Sequence, residues 1–171
     1  MALSREGVWS PDKRSLDDCG VLFIGDSIFR HLSNHIPPGL LNSVPGVGFY
    51  SGRKISTLFA NFGKYVSHKT HTCVLHVGTN DINSLDTRTP ELLIQYETVV
   101  AEILKRSPKC QIFASSVLPR AINHRCGRDN PCTRSQYVYK INEIICEFND
   151  RLQDLCSRNA NLHFLCHNEF W

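Results

Sequence analysis

Two short polar clusters in this chain have residue types suited to acyl transfer. Gly25-Asp26-Ser27 follows the apolar run Val21-Leu22-Phe23-Ile24, and Gly78-Thr79-Asn80-Asp81 follows Cys73 to Val77. A serine hydroxyl on a sharp strand-to-helix turn can attack an acyl carbon. The tetrahedral intermediate then needs hydrogen-bond donors for its oxyanion. The Ser27 backbone N–H is one candidate donor and the Asn80 side-chain amide is a second. Gly52, in the turn Ser51-Gly52-Arg53, is placed to bring a bare N–H close as a third. The plainer reading of Asp26 or Ser27 is an N-cap, a position that both residue types favour.

The elements that position these clusters decide between the two readings. Short apolar runs alternate with stretches of helical periodicity along the chain. Strands are expected at Cys19 to Gly25, between Leu41 and Tyr50, at Cys73 to Val77, at Gln111 to Val117 and at Asn161 to Cys166. A helix through Ile28, Leu32 and Ile36 is stopped by Pro37-Pro38-Gly39. A second runs from about Arg53 to Ser67. In the third, Thr89 is read as the cap and Pro90 as the first helical residue. The fourth carries Tyr137, Ile141, Ile145, Phe148, Leu152 and Leu155 on one stripe.

This alternation predicts an α/β fold of three layers, αβα, around a five-stranded parallel sheet in the flavodoxin-like order 2-1-3-4-5. Strands one and three are neighbours in that order, and ligands bind at their carboxyl ends. The two polar clusters therefore meet at the switch point, which favours a functional Ser27 over a cap. Residues 1–18 read as a flexible N-terminal lead and residues 19–171 as one domain. Residues 119–134 form a polar, Arg-rich loop that could wall a pocket.

Composition narrows the partners. A net charge of +3 with scattered Lys and Arg does not indicate nucleic acid. No run reaches transmembrane length, and residues 1–18 lack an apolar signal core, which points to the cytosol or nucleus. The eight cysteines are then expected as thiols, with Cys19, Cys73, Cys110 and Cys166 acting as small hydrophobes at buried strands. Cys126 and Cys132, near His124, lack a second ligand pair, so no metal site is expected. No cofactor is required for serine ester hydrolysis. A phosphate or nucleotide binder of flavodoxin-like fold is disfavoured because no glycine-rich phosphate loop is present.

The motifs Gly25-Asp26-Ser27 and Gly78-Thr79-Asn80-Asp81, with a glycine between them, resemble the SGNH (GDSL-like) hydrolase superfamily. That resemblance implies Ser27 as nucleophile and Ser27, Gly52 and Asn80 as the oxyanion hole, with Gly46 and Gly48 as weaker candidates for the middle position. Gly-Asp-Ser-Ile, Ser-Gly-Arg-Lys-Ile, Leu118-Pro119-Arg120 and the closing Asn-Glu-Phe-Trp are most similar to the esterase domain of LINE-type retrotransposon first-open-reading-frame proteins. The family's substrates are acetyl or lipid acyl esters. Its fourth block, Asp-x-x-His, carries the general base, and no such block follows the fifth strand. The expectation is a domain shortened at its C-terminus, without its last helix. The alternative to an esterase is an inactive binding or interaction module of the same fold.

Among the other histidines, His167 lies at the carboxyl end of strand five and so on the correct edge to act as base. His76, inside strand three, reads as a satisfied core residue. His163 is expected in a sheet face or at the surface, His31 and His35 in solvent, and His68 and His71 far from the active edge.

Overall fold

The computed structural model describes residues 8–9, 20–25, 47–50, 54–59, 66–123 and 130–167. Strands β1 (Val8–Trp9), β2 (Val21–Gly25), β3 (Val47–Tyr50), β4 (Thr72–His76), β5 (Gln111–Ser115) and β6 (Leu162–Leu165) form one sheet. Helices α1 (Ile55–Phe59), α2 (Thr89–Arg106) and α3 (Ser135–Ser157) lie between them in the chain, with a 3₁₀ turn at Pro131–Thr133. The sheet order is β1-β3-β2-β4-β5-β6. Neighbours pair in parallel from β3 through β6, whereas β1 pairs antiparallel with β3. Among the described residues the sheet thus has six strands rather than five. The addition, Val8–Trp9, falls inside the segment read as a lead; two residues carry no periodicity to announce a strand.

The parallel strands explain the apolar runs. β2, β4 and β5 share one burial pattern, in which the second, fourth and fifth residues are buried and the first and third half-buried. Leu22, Ile24, Cys73, Leu75, Ile112 and Ala114 make the fully buried face. Across the register, Phe23, Val74, Phe113 and His163 make a row on the other face.

α2 and α3 pack on the buried face because each has one apolar stripe. Leu92, Tyr96, Val99, Val100 and Ile103 face inward on α2, and Val138, Ile141, Ile145, Phe148, Leu152 and Leu155 on α3. The two helices meet through Tyr96 and Phe148, whose rings stand edge-to-face at 6.4 Å. Thr89 does not cap α2. Arg88 holds the cap position without a side-chain bond, and the buried Thr89 hydroxyl instead donates to Glu147 Oε1 of α3 at 2.6 Å. A tertiary partner has taken the hydroxyl from its local role.

A second link joins α3 to the chain beyond β5. Asn149 accepts from the Val117 N–H at 2.8 Å and donates to its carbonyl at 3.0 Å. Asn142 does the same for Arg120, at 2.8 and 3.0 Å. Seven helical residues rise about 10.5 Å and three extended residues about 10 Å, so the two spacings match. The amides replace the sheet partner that residues 117–120 have lost.

The described cysteines are all free thiols. Burial pushes the Cys73 thiol well above its ordinary value, and the Cys110 and Cys156 thiols to about 11, which suits inert core residues. Cys166 departs from expectation. It is exposed, because it leaves β6, which among the described strands stands at the edge of the sheet. No described helix is long and apolar enough to cross a membrane.

Candidate active site

β2 and β4 are adjacent and in register from Val21↔Thr72 to Gly25↔His76. Parallel pairing therefore sends the chain after Gly25 and the chain after His76 off the same edge of the sheet. Asp26, Ser27, Gly46 and Gly52 lie outside the described residues, as do His31, His35, His124 and Cys126. Gly48 lies within β3.

The turn after β4 is described in full. Gly78 has φ +124°, a conformation open to glycine and strained for other residues. A side chain there would also meet Val117 and Phe148. The Gly78 carbonyl accepts from the N–H groups of Asp81 and Ile82 at 3.0 and 2.8 Å, and Ile82 is buried beneath the turn. The Arg120 guanidinium donates to the Thr79 carbonyl. Asn80 is thus carried half-buried at the crest of a turn held from three sides.

Asp81 ties this turn to the segment that contains Gly52 in sequence. Both its carboxylate oxygens accept from the Ile55 N–H, at 3.2 Å each, at the start of α1. Burial raises its pKa, while the Ile55 hydrogen bond and the Lys54 charge act in the opposite direction. Its work in this structure is to hold α1 against the β4 turn. Two residues, Arg53 and Lys54, separate Gly52 from Ile55.

Sequence reasoning passed over Ser115. It ends β5, buried, between two imidazoles: His76 Nδ1 and His167 Nε2 each lie 2.8 Å from its Oγ. The His167 N–H also donates to Ser116 Oγ at 3.2 Å. His76 is buried and His167 half-buried. His163 is exposed and lies 2.6 Å from Gln111 Oε1, and His68 and His71 are exposed near the opposite end of β4. The one available signal for Ser115 was its place at a strand's carboxyl end. Among the described residues, no group of three or more His, Cys, Asp or Glu is placed to hold a metal ion.

No protein-family model and no curated protein matches the sequence. Solved structures match the fold. A Streptococcus pneumonia protein provisionally named a platelet activating factor is 26% identical, with 86% of this chain and 65% of that one covered, at a TM-score of 0.64. The GDSL-like lipase from Bacteroides thetaiotaomicron VPI-5482 is 21% identical, with 84% and 66% covered and a TM-score of 0.61. The extracellular lipase from Streptomyces rimosus is 15% identical, with 85% and 79% covered and a TM-score of 0.59. The fold is that of the GDSL-like lipolytic hydrolases. The chain spans 65% of the first of these proteins and 66% of the second. In this fold class the carboxyl edge of the sheet is where ligands bind, and the Asn80 turn stands on that edge.

Proposed function

We propose that this chain is a serine carboxylic ester hydrolase of SGNH type, acting on acetyl or lipid acyl esters. Ser27 is the nucleophile, and its backbone N–H, a backbone N–H at Gly52 and the Asn80 amide stabilise the oxyanion. The observation that carries the reading is the Gly78–Asp81 turn: it fixes Asn80 at the end of β4, on the strand beside the one that leads to Ser27. The substrate class agrees with neighbours named as lipases and as an acetyl xylan esterase. The nearest family within the superfamily, on the sequence features, is the retrotransposon esterase domain.

Attack by Ser27 needs an acceptor for its hydroxyl proton. The described imidazoles at this edge are His76 and His167. A second reading is a binding or interaction module of the same fold without turnover. Hydrolysis of short-chain p-nitrophenyl esters separates the two. The esterase reading expects a rate that Ser27→Ala abolishes, and labelling of Ser27 by a fluorophosphonate probe. Equal background from both proteins, with no labelling, leaves the binding module.

A further inference from the structure

We propose that His76, Ser115 and His167 form a proton relay, leading from the β2–β4 end of the sheet to the half-exposed surface at His167. The proposal takes its source of protons from the esterase reading; the hydrogen-bonded chain itself stands on its own geometry.

Both links measure 2.8 Å, and the two imidazoles stand edge-to-face at 6.4 Å with the Ser115 oxygen between them. A hydroxyl has one proton to donate and lone pairs to accept with. Bridging two neutral imidazoles, it donates to one and accepts from the other, so their tautomers are complementary. In the resting state His76 Nδ1–H donates to Ser115 Oγ, and the Ser115 O–H donates to a bare His167 Nε2.

A proton arriving at His76 Nε2 makes that ring an imidazolium. Its Nδ1 proton then passes to Ser115 Oγ as the Ser115 hydroxyl proton passes to His167 Nε2. One N–H and one O–H bond break, one O–H and one N–H bond form, and the positive charge moves from His76 to His167. No other reactant is consumed. The direction follows from burial: His76 is 3% exposed and His167 half-buried, and burial penalises the charged ring.

Position supports the role. His76 is the register partner of Gly25, two residues before Ser27. Gly25, His76 and Ser115 are the terminal residues of β2, β4 and β5, and all are buried, although alternation would leave that face half-open. Other described titratable groups lie near this end. Cys166 is exposed beside His167, His163 is bonded to Gln111, and Cys146 and Asp150 of α3 line a hollow with Ser116 and Cys166. Arg120 is turned to the Thr79 carbonyl.

The test is ¹⁵N NMR of the histidine rings across a pH titration, on the full chain and on Ser115→Ala and Ser115→Thr. The relay expects His76 and His167 both protonated at Nδ1 when neutral, with linked titrations that Ser115→Ala uncouples and Ser115→Thr retains. In turnover, Ser115→Ala lowers kcat on p-nitrophenyl acetate by about 100-fold, the lower end of general acid–base effects, with KM little changed and Ser115→Thr restoring the rate. Imidazoles that titrate independently in the wild type, or unchanged in Ser115→Ala, overturn the relay. The spectrum needs no turnover, so the failures separate. Linked imidazoles in a protein indifferent to Ser27→Ala overturn the esterase reading; unlinked imidazoles in a Ser27-dependent esterase overturn the relay.

Discussion

Replacing Gly78 by alanine tests the geometry on which Asn80 depends. A Cβ at this position would stand 2.7 Å from Val117 Cγ2 and 3.3 Å from Phe148 Cε1. The first distance forces a shift of a buried side chain, and overpacking of that kind costs about 1–3 kcal/mol. The backbone adds a separate penalty, since φ of +124° is strained for any residue with a Cβ and such strain costs about 1–3 kcal/mol. The sum is about 2–6 kcal/mol, or a melting temperature lower by about 4–24 °C for a chain of this size. Urea and thermal unfolding followed by circular dichroism measure it. The two contributions separate in a double-mutant cycle with Val117→Ala, which removes the clashing methyls and leaves the backbone strain; a coupling of about 1–3 kcal/mol is expected. A Gly78→Ala protein within about 0.5 kcal/mol of wild type, the range of an indifferent surface change, would refute the account of this turn.

Other changes probe neighbouring features. Asn80→Ala should leave the fold intact and lower the rate of p-nitrophenyl ester hydrolysis by about 100–1,000-fold, the effect of removing one oxyanion donor. Asn149→Leu strands the buried N–H and C=O of Val117 and should lower unfolding stability by at least about 2 kcal/mol. Tyr96→Phe acts in the opposite sense: the Tyr96 hydroxyl is buried with no hydrogen-bond partner among the described residues, so its removal should raise the melting temperature. Glu147 is held below the usual carboxylate range by the Thr89 hydroxyl, with Arg151 assisting. A lowered folded-state pKa gives stability that is present above the unfolded value of about 4.3 and lost as pH falls through the folded one. Thr89→Val should therefore flatten the decline of melting temperature below about pH 4.3.

What the sequence disclosed was local or periodic. The runs at Val21–Ile24 and Cys73–Val77 announced adjacent buried strands because parallel strands need apolar residues on both faces. Gly-Thr-Asn-Asp at a strand end was legible because the core has no use for it. Thr89 was misread because Ser and Thr at helix starts serve local and distant partners with the same hydroxyl, and Glu147 is 58 positions away. Cys166 was misread because edge and central strands share an apolar pattern until the sheet order is known. The His76–Ser115–His167 chain spans separations of 39 and 52 residues. His167 was legible as a strand-end imidazole, but Ser115 does not stand out alone, since it is the register of β4, β5 and β6 that brings it between the two rings.

The paired asparagines of α3 have a consequence for how this fold can diversify. Because Asn142 and Asn149 grip the main chain at Arg120 and Val117 rather than any side chain, they fix where the long loop departs without dictating its sequence. Length and composition beyond Arg120 are then free to change while the edge of the sheet keeps its shape. An engineer could exchange that loop between relatives as a cassette, with the two amides as its socket.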